Sequence, residues 1–400
     1  MSDSAFDATN ASLPFSARPR HDARVDSVGK EHVIDAMRGF AALLVAYFHC
    51  RQVAWVGMES FHHSVGHALS VSTIMAYLTL PIAWGSAGVP IFFVISGYCI
   101  HRGGALRLAQ SPSYKLDTVN FWARRFARIY PVLLAALLLT FALDWFSFHL
   151  PPVNHKLRDI GLHAFLVNLF SLQGVAGKTY GSNGALWTLS LEVQFYAIYP
   201  LLFALRRRFG MTPLLALVAF VNIASAYLLE RHDLQFFTSY WFAWTLGAWI
   251  ADARAQKAAV KDARPASKGL YAIAAVLLAL GCVAFHFGQY AAFQFWALGF
   301  AFYLYKALER RAVATTAARV LSRFGDFSFS LYLIHLPIFV LLSSLLYRSA
   351  LQLSIWPSFG FMLVAVPVAY VFYRLVELPA MKWSASLKPK NKARVATAQA

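Results

Sequence analysis

Residues 33–54 read VIDAMRGFAALLVAYFHCRQVA. That is the length at which a helix crosses a bilayer core, about 20 residues, yet besides Arg51 near its end the stretch holds Asp35, Arg38 and His49. A charged or titratable group costs too much in hydrocarbon to face lipid, so each must turn toward a bundle interior or a wet cavity. Arg38 and His49 are eleven residues apart. Eleven residues make close to three helical turns, which puts both on one face with their Cα atoms about 16 Å apart along the axis. Asp35 lies one turn before Arg38, and Gly39 and Ala42 keep that face narrow. The stretch thus implies a membrane helix packed among others, with a polar stripe turned inward. Two readings of the stripe stand side by side. Asp35 and Arg38 form an interfacial ion pair with His49 as a packing donor, or the same-face Arg and His belong to a site.

The rest of the chain repeats the membrane signal. Of 400 residues, 59% are hydrophobic and 14% charged, against roughly 25% charged in soluble domains. We read ten spans, at roughly 33–54, 81–101, 126–148, 185–205, 212–230, 236–252, 269–287, 290–307, 326–347 and 353–375. The expected fold is therefore all-α, a polytopic transmembrane helical bundle. The shorter apolar stretch 160–173 is read as interfacial or re-entrant, inside an outer loop of about 149–184.

Basic residues orient the bundle. With ten alternating spans and the N-terminus inside, the outer segments carry Arg51, Lys156, Arg158, Lys178, Arg231 and Arg348, and Arg38 lies within the first span. The remaining 29 of the 36 Lys and Arg are then cytoplasmic, the asymmetry that Lys and Arg show across membranes. Both termini are expected in the cytoplasm. The domain organisation is a cytoplasmic tail over 1–31, a transmembrane domain over 32–380 and a basic cytoplasmic tail over 381–400.

The same distribution accounts for the net charge of +18 without a nucleic-acid partner, since no soluble basic domain is in view. The three cysteines, Cys50, Cys99 and Cys282, sit in or beside apolar runs with no CxxC spacing, so neither a metal site nor a disulfide framework is expected. The polar first thirty residues lack the short apolar core of a cleavable signal peptide. No internal repeat of the kind found in many transporters is visible.

Several groups could carry chemistry. Glu192 lies in GALWTLSLEVQFY, residues 184–196, in the outer half of the fourth span. There it could pair with His49 as an acid–base couple or simply bond Trp187 or Ser190. His335 lies in FSLYLIHLP, residues 329–337, where Pro337 frees a backbone carbonyl one turn back. It is a second site candidate or a structural donor. Arg124, Arg125 and Arg128 cluster where the third span starts on the cytoplasmic side, suited to phosphate, or serve only as topology signals. Ser96 is read as packing beside Gly88 and Gly97. His62, His63 and His67 in the outer loop have spacing open to a metal but no accompanying carboxylate or cysteine motif.

In this order the segments resemble acyltransferase family 3. The opening motif is similar to Ile34–Ala41 with Arg38 and, ten residues between, His49. The Gly-Val, Phe-Phe and Ser-Gly elements match 88–97, Arg-Arg-x-x-Arg matches 124–128, and Leu-Trp-x-Leu-x-x-Glu with Phe-Tyr matches 186–196. The Ser-Leu-Tyr-Leu-x-His-x-Pro segment matches 330–337, and Glu377-Leu-Pro379 the closing Glu-x-Pro. The chain departs from the pattern at Ala36-Met37, Pro90, Thr188 and Val193, none of them a proposed catalytic group.

The resemblance implies a multi-pass enzyme of the bacterial inner (plasma) membrane. It would transfer an acyl group, usually acetyl from acetyl-CoA as donor substrate, to a sugar hydroxyl. The partners would be a carbohydrate or glycolipid acceptor, such as exopolysaccharide or lipopolysaccharide, and membrane lipid. It implies His49 as general base, with Glu192, Arg38 and His335 as further catalytic candidates. Arg124, Arg125, Arg128 and Arg38 would hold the donor. The fused hydrolase-like domain of some members is not expected. The alternatives left open are a transporter or flippase without acyl transfer, and succinyl-CoA as donor. The sequence sets no oligomeric state.

Overall fold

The computed structural model describes residues 32–66, 69–232, 234–259, 266–309 and 315–387. The expected tail over 1–31, most of the tail over 381–400, and His67 fall outside them. Among the described residues the chain is helical, with only isolated bridges such as Trp55 with Gln352 in place of strands. The helices are α1 His32–Ala54, α2 Met58–Val65, α3 Val71–Leu78, α4 Gly88–Gln110, α5 Thr118–Phe148, α6 Leu162–Leu169, α7 Trp187–Phe209 and α8 Met211–Leu229. They continue as α9 Trp241–Ala259, α10 Gly269–Ala284, α11 Gln289–Ala307, α12 Thr316–Asp326, α13 Ser328–Tyr347, α14 Trp356–Phe372 and α15 Leu378–Ser386.

A helix stands at each of the ten stretches read as spans. Among the described residues, seven segments are long and apolar enough to cross a bilayer by themselves. The other three are α9, α10 and α11. Helix α9 carries Asp252, Arg254 and Lys257, and α10 has 16 residues. Both α9 and α11 pack on α4 and on each other. A helix whose polar groups meet protein rather than lipid needs less apolarity to sit at membrane depth. The stretch 160–173 forms only α6, eight residues long, too short at 1.5 Å per residue to cross a core of about 30 Å. A C-terminal reporter active only in the cytoplasm is expected to work when fused to this chain. Activity only of a periplasmic reporter would overturn the ten-span, both-termini-inside topology.

Sequence explains the helix ends. Asp117 caps α5, accepting from the Asn120 N–H at 3.0 Å, and Thr315 caps α12, accepting from the Ala318 N–H at 3.2 Å. Arg206, Arg207 and Arg208 occupy the last turn of α7, where cations complement the helix dipole, and Gly210 at φ 85° ends the helix. Because α5 begins at Thr118, Arg124, Arg125 and Arg128 stand two to three turns inside it. The helix N-terminus that the sequence reading gave them lies elsewhere, and the amide donors there are not theirs.

Small residues set the closest approaches. A Cβ on Gly97 of α4 would sit 1.8 Å from the Trp244 carbonyl oxygen, and one on Gly247 of α9 would sit 1.9 Å from that of Val94. Helices α4 and α9 thus meet backbone to backbone. Gly39 and Gly325 do the same for α1 and α12, with Leu321 O and Asp35 O as the blocking atoms. Gly97→Val is expected to cost more than the usual ~1–3 kcal/mol of overpacking, because a backbone carbonyl cannot step aside. Thermal unfolding of the solubilised variant at the parent's temperature would contradict this.

Glu309 ties α9 to α11. Its carboxylate takes Lys257 Nζ at 2.5 Å, Lys306 Nζ at 2.8 Å and the Ala266 N–H at 3.0 Å. Burial works against the charge, but these donors prevail and hold the carboxyl at about 2.

Candidate active site

Two polar clusters lie inside the bundle, and α1 reaches both. At its C-terminal end the His49 and His335 rings lie edge to edge and nearly parallel, centroids 5.1 Å apart, with His49 Nδ1 2.8 Å from His335 Nε2. Helix α12 makes this contact possible. It lies along the inner part of α1, so α13 begins level with Asp35 and a residue midway along α13 can reach His49.

The hydrogen bonds fix the proton positions. His335 Nδ1 lies 2.9 Å from the Leu331 carbonyl oxygen. A carbonyl only accepts, so Nδ1 of His335 carries the proton and, in the neutral ring, Nε2 accepts. His49 Nδ1 must then donate to it, and the lone pair of His49 Nε2 is left uncommitted. His335 is fully buried while His49 keeps some exposure. The outer ring of the pair is the one a reactant can touch.

The surroundings of α13 hold His335 in place. Pro337 lacks the N–H that would pair with the Leu333 carbonyl, and Asn183 Nδ2 takes that carbonyl at 2.8 Å while bonding Thr140 Oγ1 on α5 at 3.0 Å. The next residue back, Ser182, is locked by Asp144, which accepts from its N–H at 2.7 Å and its hydroxyl at 2.6 Å. One turn before His335, the Tyr332 ring lies 6.0 Å from it, and the Tyr332 hydroxyl accepts from Thr188 Oγ1 at 2.7 Å.

The second cluster is Glu192's. Its carboxylate accepts from the Tyr196 hydroxyl and, at 3.1 Å, from Ser96 Oγ, which in turn accepts from Trp244 Nε1 at 3.2 Å. The bond of Glu192 to Trp187 or Ser190 weighed from sequence is not made, since Ser190 Oγ donates to the carbonyls of Gln173 and Trp187. Nor does Glu192 orient His49; His335 has that place. Arg38 sits beside this cluster, 3.3 Å from Cys99 Sγ and 3.7 Å from Asp35, within electrostatic reach of Glu192 and Tyr196. Of the two readings of the α1 stripe, the structure contains the Asp35–Arg38 pair and also places Arg38 beside the Glu192 cluster.

Arg125 completes this end. Its guanidinium lies 5.8 Å from the Tyr196 ring and 5.6 Å from that of Phe121. Arg128 is partly buried within reach of Glu377, whose carboxylate accepts from the Ser330 hydroxyl at 2.6 Å. Arg124 is exposed. Phe92, Ser96 and Cys99 of α4, together with Glu192, Arg38 and His49, all keep partial exposure among fully buried neighbours. Among the described residues no group of His, Cys, Asp or Glu could hold a metal ion; His62 instead bonds the Tyr77 hydroxyl at 2.8 Å.

A family model described as an acyltransferase domain matches residues 31–374, which takes in every group named above from Asp35 to His335. This chain belongs to that family.

Similar proteins include the peptidoglycan O-acetyltransferase OatA of Listeria monocytogenes, 31% identical over 33% of this chain and 22% of the relative. Acyltransferase MdmB of Streptomyces mycarofaciens is 30% identical over 44% of this chain and 40% of the relative. Nodulation protein 10 of Rhizobium leguminosarum is 26% identical over 52% and 53%. The chain thus spans about half or less of the length of these relatives. No solved structure matches.

In this family member, the sequence candidates His49, His335, Arg38, Glu192 and Arg125 all lie in or beside the two clusters, but the contact between the histidines was not anticipated. It also missed Tyr332 and Asn183. Tyr332 has a signal in its place one turn before His335, and Asn183 has one in the Ser-Asn-Gly run that precedes α7.

Proposed function

We propose that this chain is a membrane O-acyltransferase that moves an acyl group, acetyl in the first place, from acetyl-CoA to a sugar hydroxyl on the outer side of a bacterial plasma membrane. The observation that carries the proposal is the His49–His335 pair, which leaves a free lone pair on the one imidazole a reactant can reach. Family membership and relatives named O-acetyltransferase and acyltransferase support the reaction class. The relative named for peptidoglycan supports a carbohydrate acceptor, and the bacterial sources of the three relatives support the location.

In this reading the donor's phosphates stay at the cytoplasmic end near Arg125 and Arg128, and the pantetheine arm runs past the partly exposed Arg38 and Ser96. The acceptor hydroxyl approaches His49 from outside. His49 Nε2 takes its proton as the oxygen attacks the thioester carbonyl. The new C–O bond forms, the C–S bond of the tetrahedral intermediate breaks, and the CoA thiolate receives the proton from His49. His335 is a positioning residue that keeps Nδ1 of His49 as the donor, so that Nε2 remains the base. Glu192, Tyr196 and Arg38 form a preorganised charge cluster along the arm's path.

Purified protein in nanodiscs, given acyl-labelled acetyl-CoA and a soluble oligosaccharide, should produce CoA and an oligosaccharide ester visible by mass spectrometry. An intact thioester with all acceptors, and movement of glycan across the bilayer, would replace the proposal with a transporter. Turnover of succinyl-CoA but not acetyl-CoA would change the acyl group.

A further inference from the structure

Half of the six outer cations lie in the single loop 149–184, as Lys156, Arg158 and Lys178, against one acid, Asp159. The positive-inside bias works against such a cluster on this face. Lys156 also lies within electrostatic reach of His49. It is partly buried, and among the described residues it makes no ion pair.

Its position is held from several sides. The Lys156 N–H donates to Asn154 Oδ1 at 3.0 Å, the Leu157 N–H donates to Asn154 O at 3.0 Å, and buried Asn154 faces Ser343 Oγ of α13 at 3.5 Å. Further along, Tyr180 donates its hydroxyl to Ile160 O at 2.9 Å and the Gly181 N–H bonds Asp159 O at 3.1 Å. This anchors the loop to the same 180–183 segment that supports His335. The other outer cation near α1 is already satisfied, because Arg51 donates to the Thr79 carbonyl and lies over the Trp55 ring. Burial first, and then Arg158, push the Lys156 ammonium's pKa down. Both are what an ammonium experiences when held off water and beside a like charge, and an anion arriving there would relieve both.

We infer that Lys156, backed by exposed Arg158, selects an acceptor bearing an anionic group, carboxylate or phosphate, close to the hydroxyl presented to His49. This rests on the acyl-transfer reading and adds the charge of its substrate. The anion could belong to the glycan itself, as in a uronic acid, or to a diphosphate that links a sugar to its lipid carrier.

The test uses the full chain in nanodiscs with acetyl-CoA and three acceptors: a neutral glucan oligosaccharide, a uronate oligosaccharide of equal length, and a neutral sugar on a polyprenyl diphosphate. The parent is expected to favour one anionic acceptor over the neutral one in kcat/KM. Lys156→Glu should lower that ratio at least about tenfold, roughly what losing one favourable charge contact does, whereas Lys156→Arg should keep it within about threefold. The favoured acceptor tells carboxylate from diphosphate. If all acceptors are acylated and the ratio is the same in parent, Lys156→Glu and Lys156→Arg, the selection is wrong while acyl transfer stands. If no acceptor is acylated and the thioester stays intact, the transfer reading fails and takes this inference with it.

Discussion

His49→Ala, in protein that still inserts and still binds acetyl-CoA, is expected to lose acyl transfer by about 10²–10⁴-fold, the usual contribution of a general base, or ~3–5 kcal/mol of barrier. The expectation comes from the one uncommitted imidazole nitrogen of the pair. Loss of His49 removes that nitrogen, and the imidazole beside it, His335, is buried deeper with its ring held at Nδ1 by Leu331 O. His335→Ala should also slow transfer, since it frees His49 to rotate and to change tautomer. Its effect should vanish in the His49→Ala background, where there is nothing left to orient. A fair control for loss of any intramembrane histidine is His101, fully buried on α4 and bonded to Tyr199 at 3.1 Å, well away from the pair's partners. Transfer by His49→Ala within about threefold of the parent rate would make the pair structural and end the mechanism.

The second large effect is on donor binding. Arg125→Gln is expected to weaken acetyl-CoA by about 10–100-fold, the loss of one charge-assisted hydrogen bond of ~1.5–3 kcal/mol. Arg124→Gln should leave the affinity within about threefold. The three arginines look equivalent in sequence, but only Arg125 and Arg128 turn into the bundle, and Arg125 lies beside Tyr196 of the Glu192 cluster. The Arg124 backbone carbonyl accepts the Ser384 hydroxyl at 2.6 Å, joining α5 to α15. Titration calorimetry on the two variants separates the cases. Equal affinities for parent and Arg125→Gln would reduce the cluster to a topology signal.

Much of this was legible in the chain because hydrocarbon is an unforgiving solvent. Runs of apolar residues mark membrane helices wherever they occur, and ionisable groups inside them, such as Arg38, His49, Glu192 and His335, single themselves out by their cost. Helical periodicity alone put Arg38 and His49 on one face of α1 and far apart along it, and the structure sends them to two different clusters as that spacing requires. The ends of helices were harder. The third span begins at Thr118, eight residues before the apolar run at 126, because Asp117 caps it there, and this moves the arginines off the helix terminus. Partner choice was out of reach. Whether His49 meets Glu192 or His335 depends on how deep each helix sits relative to its neighbours. That depth is set by the glycines that let α12 press against α1 and α4 against α9, and by Asn183 reaching the carbonyl that Pro337 leaves free. The sequence determined which residues must be inside, since transfer from water to lipid is a property of each side chain. Only the tertiary structure decided which of them touch, since relative depth and rotation are properties of pairs of helices that no single stretch encodes.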